Sequence, residues 1–228
     1  MAKGAETRDA ILRRAVSLAS VVGLEGLTIG GLANEMGLSK SGLIAHFGTK
    51  ETLQLSILQA AAQMFASRVV VPARREPAGE ARVRALFDRW LEWPASQDLP
   101  GGCPFVTATI EFDDRPGVLR FFVNKVQKEW VDVVQQAARE AKDSGDFVPE
   151  LDVTQFAFNM FAIFQAFHSY ASLMNDRTAE GRARASFEGL VRRAKGEYQP
   201  VTPEAERAEN PSTAGARRTD DSEAAAAS

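Results

Sequence analysis

The chain has 228 residues, a formal net charge of −3, 45% hydrophobic residues and 25% charged residues. This composition is ordinary for a globular protein and excludes collagen-like, mucin-like and wholly disordered chains. A single cysteine, Cys103, excludes an intrachain disulfide and a cysteine-cluster metal site, and only two histidines are present. We therefore expect neither a metal nor a cofactor. The longest apolar runs are a few residues, as at 69–71, and the N-terminus is unlike a signal peptide, so we expect a cytoplasmic protein without a membrane span.

The charge is distributed unevenly along the chain. Residues 1–50 carry six lysines and arginines against four acidic residues, a net charge of +2. A mildly basic segment can bind phosphate even when the whole chain is acidic. Residues 199–228 carry three basic and six acidic residues and are rich in Pro, Ser, Thr, Ala and Glu. Such a segment has little to bury, so we predict a disordered tail over residues 198–228.

Apolar residues recur at helical spacing along almost the whole chain, and no window alternates as a strand would. The sequence therefore predicts an all-α fold. Gly23 and Gly26 are expected to end the first helix, and 71–79, with two prolines and a glycine, is expected to be a linker. The predicted helices cover residues 11–22, 28–36, 39–47, 50–64, 83–91, 105–112, 113–142, 153–175 and 180–194.

Three of these helices have recognisable start signals. Thr49 is predicted to cap the helix that follows it, because its hydroxyl can accept an exposed backbone N–H. Pro116 suits the first turn of a helix, where a missing N–H costs nothing. Asp152 followed by Gln155 resembles a capping box.

Residues 28–47 have the pattern of a helix-turn-helix. Two short helices that cross steeply need a small residue at the crossing, here Ala33, and a turn residue that tolerates positive φ, here Gly37. The second helix begins near Ser39, so its first amides point outward beside Lys40 and suit a phosphate group. Apolar residues are expected to pack against each other on both sides of the turn: Leu32 and Met36 before it, Leu38 and Leu43 after it.

Residues 7–58 resemble the DNA-binding head of the TetR (tetracycline repressor) family of transcriptional regulators. The segments at 101–105 and 111–117 also resemble a recurring form of the family's ligand domain. The residues that carry the resemblance of the head are Ile11, Leu12, Ala15, Gly23 through Ile29, the turn around Gly37, and His46 through Leu53.

The resemblance implies an all-α protein with an N-terminal three-helix helix-turn-helix head and a C-terminal helical domain for ligand binding and dimerisation. We expect the head at 1–50, the helical domain at 51–197 and the tail at 198–228. The implied function is a homodimeric regulator, most often a repressor, that leaves a palindromic double-stranded operator when a small apolar ligand binds. An enzyme is not expected.

The resemblance also implies individual contacts with DNA. Thr28 would cap the first helix of the helix-turn-helix and lie next to a DNA phosphate. Lys50 would bind a phosphate at the start of the fourth helix. Ile44 stands where most members carry an aromatic residue, and isoleucine cannot donate to phosphate, although it could touch a thymine methyl group. The full set of expected DNA-binding residues is Thr28, Ser39, Lys40, Ser41, His46 and Lys50.

The helix predicted at 153–175 carries two apolar stripes, whereas a surface helix needs one. Two stripes indicate burial on two sides, against the chain's own core and against a second copy. The helix at 180–194 would complete a four-helix interface, and a dimer would place two recognition helices about 34 Å apart. The expected interface residues are Phe156, Met160, Ile163, Phe167, Tyr170 and Met174.

Six of the fourteen phenylalanines lie between residues 147 and 167. Most are expected to form core, and some to line a cavity for an apolar ligand. The candidate lining residues are Trp90, Phe121, Phe122, Phe161, Phe164, Gln165 and His168, and an ordinary buried histidine remains an alternative for the last.

Two other functions depend on Cys103. Paired with His168 or His46, it could act as a nucleophile in an enzyme, but no nucleophile-elbow, phosphate-loop or zinc-protease motif supports this. Alternatively, a cysteine that is accessible in its loop could sense oxidants.

Overall fold

The computed structural model describes residues 2–197, with side chains from residue 6 onward. The described residues are helical and contain no strand, which confirms the all-α prediction; the predicted tail, 198–228, lies outside them. The α-helices are α1 Ala2–Gly26, α2 Ile29–Met36, α3 Lys40–Phe47, α4 Lys50–Phe65, α5 Val71–Ala73, α6 Glu80–Glu92, α7 Pro104–Phe112, α8 Val118–Asp143, α9 Val153–His168 and α10 Ala179–Ala194.

The helices form two connected groups, which we call the head (α1 to α3) and the body (α4 to α10). In the body, α8 packs against α4, α6, α7 and α9, and α10 lies along α9. Helix α1 packs against both α4 and α7, so the head rests directly on the body. The division at residue 50 stays a prediction, since α4 begins there and packs against both groups.

Side-chain caps fix several helix starts as predicted. Thr28, Ser39 and Thr49 each accept a backbone N–H from the first turn of α2, α3 and α4. Asp152 accepts the N–H groups of two residues at the start of α9. The Gln155 side chain does not return to close the capping box, because its amide donates to Asn159 at 2.9 Å.

Two sequence-based boundaries are wrong. The predicted linker at 71–79 begins too early, because a π-helical turn, Ala66–Val70, continues α4 into α5. This wider turn stands just ahead of Pro72, where a regular helix would suffer the proline's clash and missing donor. Helix α8 begins at Val118 and not at 113–116, because Gly117 adopts a φ of 154°, which a helix does not accommodate.

The body has an aromatic core. Trp90 of α6 stacks on Phe164 of α9 with ring centroids 4.1 Å apart, and meets Trp130 of α8 edge-on at 4.7 Å. Phe87 stacks on Phe187 at 3.8 Å, which joins α6 to α10. Of the six phenylalanines at 147–167, Phe147, Phe156 and Phe164 are buried as predicted, whereas Phe158 is 65% exposed.

Among the described residues, one continuous helical run, Lys50–Ala73, is long and apolar enough to cross a membrane by length and composition. This is weak evidence, because a helix that packs in a protein core passes the same test. Leu53, Ile57 and Leu58 of this run are fully buried within the protein.

Candidate DNA-binding surface and ligand cavity

The helix-turn-helix has the geometry that the sequence predicts. Gly37 adopts the left-handed conformation with φ 64°, and the next residue, Leu38, donates its N–H to Ala33 at 2.9 Å. Leu32, Ala33 and Leu43 are buried, so α2 and α3 are held by their apolar faces. The polar face of α3 is left at the surface.

The exposed start of α3 is suited to an anion. Ser39 accepts the Gly42 amide at 3.0 Å and lies 3.2 Å from the Ser41 hydroxyl, and no acidic residue stands in the first turn. The first amides of a helix have no acceptor within the helix and carry partial positive charge. Lys40 adds a full positive charge at the same end, so this surface attracts phosphate.

All six predicted DNA-binding residues are exposed: Thr28, Ser39, Lys40, Ser41, His46 and Lys50. Lys50 donates to the backbone carbonyl of Glu25 at 2.8 Å, which helps to hold the end of α1. Ile44 lies exposed on α3, where it presents an apolar group beside these polar ones.

The head is joined to the body at a kink in α1. Gly23 has a φ of 74°, which interrupts the helix and leaves the following amides without their helical acceptors. The Glu111 carboxylate of α7 accepts both of them, from Leu24 at 3.0 Å and from Glu25 at 3.3 Å. A Cβ at Gly23 would lie 2.1 Å from Glu111 Oε1, so only glycine permits this approach.

Two further contacts hold the same region. Gln54 of α4 donates to the carbonyl of Leu24 at 2.9 Å. The loop before α7 packs so closely on α1 that a Cβ at Gly101 would lie 1.9 Å from the Ser20 carbonyl oxygen. We call the contacts of Leu24 and Glu25 with Gln54 and Glu111 the α1 clamp.

The body contains a small cavity between its long helices. Its volume is about 30 Å³, close to the space that one water molecule occupies. The lining residues are Phe65, Trp90, Cys103, Phe105, Val106, Val126, Gln127, Trp130, Phe161, Phe164 and Gln165.

Four of the seven predicted ligand-binding residues line this cavity: Trp90, Phe161, Phe164 and Gln165. The other three do not. Phe121 is 72% exposed on α8. Phe122, the next residue of α8, does not line the cavity either. His168 is not among the lining residues, and its Nε2 atom lies 3.0 Å from the point where a Cβ on Gly102 would stand.

The predicted dimer seam is divided between core and surface. Phe156 and Met160 are fully buried in the chain's own core, so they have no surface to offer a second copy. Phe156 packs inside the body against Phe147, with ring centroids 5.6 Å apart. Ile163 and Phe167 are half-buried at its edge. Tyr170 and Met174 are exposed.

The sequence comparisons agree with this geometry. A family model described as bacterial regulatory proteins of the tetR family matches residues 11–56, and one described as the tetracyclin repressor-like C-terminal domain matches 79–187. The chain belongs to the TetR family of transcriptional regulators. A search of functionally curated proteins found no match.

Several solved structures, two of them described as TetR-family regulators, share the fold. A regulator from Chloroflexus aurantiacus is 27% identical with a TM-score of 0.75, over 84% of this chain and 95% of that one. A regulator from Cytophaga hutchinsonii is 21% identical with a TM-score of 0.75, over 85% and 97%. AibR, in complex with isovaleryl coenzyme A and operator DNA, is 21% identical with a TM-score of 0.64, over 84% and 99%.

The structure changes the interpretation of Cys103. Its side chain is only 4% exposed, so the expected accessible loop position is wrong. Burial raises the pKa of the thiol, which opposes formation of the thiolate that a nucleophile or oxidant sensor needs. His168 Nε2 has no hydrogen-bond partner among the described residues, so it does not hold the thiol, and His46 lies on exposed α3.

Sequence reasoning missed the roles of Glu111, Gln54 and Trp130. The resemblance pointed to the segment that contains Glu111 without giving its role. From the sequence, Gly23 is predicted to be a helix end. A break in a helix also leaves the next backbone amides without helical acceptors, so it predicts that another group must accept them. That acceptor comes from a residue 87 positions later, which no local pattern reveals. Within residues 6–197, no three His, Cys, Asp or Glu side chains group as a metal site requires.

Replacing Glu111 by alanine removes the acceptor of two amides at the α1 kink. We expect Glu111→Ala to lower the free energy of unfolding by about 1–3 kcal/mol, the usual penalty for unpaired polar groups. It should also weaken binding to DNA from the protein's own promoter region, because the head is no longer fixed. Urea denaturation and fluorescence anisotropy measure the two effects. Glu129→Ala, on the surface of α8, should change neither, and equal behaviour of the two variants would contradict the clamp.

His168 is expected to make stability depend on pH. Burial lowers its pKa below the usual value of 6.5, so the folded protein keeps this imidazole neutral while the unfolded chain takes up a proton. Protonation of the unfolded chain means that stability falls as the pH falls through about 6.5. Urea denaturation at pH 7.5 and 5.5 should show a smaller loss for His168→Gln than for the wild type. His46→Gln is the control, and an identical loss in all three proteins would refute this assignment.

Proposed function

We propose that this TetR-family protein is a homodimeric repressor that binds a palindromic operator and is released by a small apolar ligand. The observation that carries the DNA-binding role is the exposed start of α3, where Ser39, Lys40 and Ser41 stand without a neighbouring acid. Thr28 and Lys50 flank this surface at the starts of α2 and α4. AibR, which has the same fold, is in complex with operator DNA, which supports the proposal. The protein would act in the cytoplasm, where DNA is accessible.

The second copy is proposed to pack on the outer face of α9. This face carries the exposed side chains of Phe158, Ala162 and Ala166. A π-helical turn, Ser169–Leu173, continues α9 and adds the exposed Leu173. Beside it, a groove of about 390 Å³ runs between α9 and α10, lined by residues that include Phe167 and Tyr170. Small alanines between larger apolar groups permit close helix packing, and two such faces related by a two-fold axis form a four-helix contact.

This arrangement corrects the predicted interface in one respect. Phe156 and Met160 are buried, so Phe158, which is 65% exposed, takes their place as an apolar contact with the second copy. Ile163, Phe167, Tyr170 and Met174 stay in the proposed interface at its edge. The dimer gives each recognition helix a partner at a fixed distance, which a palindromic site requires.

The α1 clamp supplies a route from ligand to DNA. Helix α7 lines the cavity with Phe105 and Val106 and carries Glu111 to the α1 kink. A ligand that moves α7 therefore moves the acceptor that holds the head. A hundredfold loss of DNA affinity requires about 2.7 kcal/mol of preferential ligand binding to the conformer that fits DNA poorly.

Lys40 tests the DNA-binding surface. Lys40→Ala should weaken DNA binding on every sequence and reduce the slope of log affinity against log salt by about one, since one phosphate contact is lost. Anisotropy titrations over a series of salt concentrations measure this slope. Lys128→Ala removes the same charge from an exposed position on α8 and should leave the slope unchanged. An unchanged slope in Lys40→Ala would exclude its phosphate contact.

Phe158 tests the dimer. Phe158→Arg places a charge on the outer face of α9, and we expect it to convert the protein to monomers because the charge would be desolvated in the interface. Multi-angle light scattering measures the mass. Phe121→Arg makes the same change at an exposed phenylalanine on α8 and should stay dimeric. A monomeric wild type, or a dimeric Phe158→Arg, would disprove the proposed interface.

A further inference from the structure

The lining of the cavity restricts the chemistry of its ligand. None of the lining residues is Asp, Glu, Lys, Arg or His. Cys103 adds no charge, because burial raises the pKa of its thiol. A carboxylate or an ammonium group placed here would lose its hydration without gaining a counter-charge, which is strongly unfavourable. The cavity is therefore suited to a neutral ligand.

One residue that lines the cavity has a hydrogen-bond donor without an acceptor. Trp130 is only 6% exposed, and its indole N–H is fully buried and has no partner among the described residues. Tryptophan can only donate, so water-free burial leaves this group unpaired. Phe65 and Trp90 pack edge-on against the Trp130 ring at 5.0 and 4.7 Å, which fixes its orientation. A ligand oxygen could supply the missing acceptor.

From these two observations, and building on the proposed ligand-regulated function, we propose that the cavity binds a neutral carbonyl compound with an apolar body. The carbonyl oxygen accepts the hydrogen bond of the Trp130 indole, and the apolar body packs against Trp90, Phe161 and Phe164. Trp130 is thus the residue that selects an oxygen-bearing ligand over a hydrocarbon of the same shape. This selection follows because the carbonyl recovers here the hydrogen bond that it loses on leaving water.

The cavity must enlarge to admit such a ligand. Its present volume of about 30 Å³ is smaller than one aromatic ring requires. The walls from Trp90, Trp130 and Phe164 are buried. The half-buried lining residues belong to three helices: Val106 of α7, Val126 and Gln127 of α8, and Phe161 and Gln165 of α9. The cavity is therefore most accessible where α7, α8 and α9 meet. Ligand affinity is reduced by the free energy of this enlargement.

Three probes of similar size separate the possibilities: acetophenone, α-methylstyrene, in which a CH2 group replaces the carbonyl oxygen, and benzoate. Ligand-observed NMR titration of the full chain without DNA gives each dissociation constant. We expect wild-type protein to bind acetophenone at least as tightly as α-methylstyrene, and benzoate far more weakly. In Trp130→Phe, which keeps an aromatic ring but loses the N–H, the ratio of the two neutral probes should shift about tenfold towards α-methylstyrene.

Trp93→Phe is the matched control. Trp93 is also a buried tryptophan, but it does not line the cavity. It should leave the ratio unchanged, and melting temperatures should show that both variants are folded. An unchanged ratio in Trp130→Phe, an equal shift in Trp93→Phe, tight binding of benzoate, or no binding of any probe would each overturn the proposal.

The outcome is distinguishable from a failure of the proposed function. If acetophenone binds through Trp130 but does not release DNA, the site is correct and the repressor mechanism is wrong. If DNA binding and the Lys40→Ala effect are as expected but the probe ratio does not depend on Trp130, the function stands and the ligand chemistry fails.

Discussion

The backbone amides at the α1 kink, where the head joins the body, depend on one carboxylate for their hydrogen bonds. Gly23 breaks α1 with a positive φ and leaves the amides of Leu24 and Glu25 without helical acceptors. Glu111 of α7 accepts both, so the last turn of α1 is fixed by a residue of the body and not by its own helix. Charged acceptors form stronger hydrogen bonds than neutral ones, and two bonds to one carboxylate define a direction. The helix-turn-helix is therefore positioned relative to the body by a defined contact.

The same helix, α7, also forms part of the ligand cavity. Cys103 at its start and Phe105 and Val106 in its first turn lie on the cavity wall, while Glu111 lies near its other end. Packed helices transmit small displacements because protein interiors have little free volume. In the proposed mechanism, α7 links ligand occupancy to head orientation through a rigid element, without requiring a disordered segment or a change of fold.

In this mechanism, the small volume of the cavity sets the difference in ligand affinity between two conformers of the protein. A cavity of about 30 Å³ cannot hold a carbonyl compound with an apolar body, so ligand binds to an opened conformer. A ligand shifts an equilibrium only by its difference in affinity between the two conformers. A cavity that is closed in one conformer and open in the other provides a large difference. The unpaired Trp130 N–H adds chemical selectivity to this steric difference.

Local sequence signals determined the helices, the helix-turn-helix and the family. Hydrophobic spacing, the caps at Thr28, Ser39 and Thr49, and the positive φ of Gly37 depend on neighbours within a few residues, so the sequence alone was sufficient. Only the tertiary structure decided which side of α9 is core, since both sides are apolar and burial depends on where α8 lies. It also decided the Glu111 contact and the composition of the cavity, where His168 and Phe121 are absent and Trp130 is present. These features join residues that are distant in the chain, and no local pattern encodes such pairs.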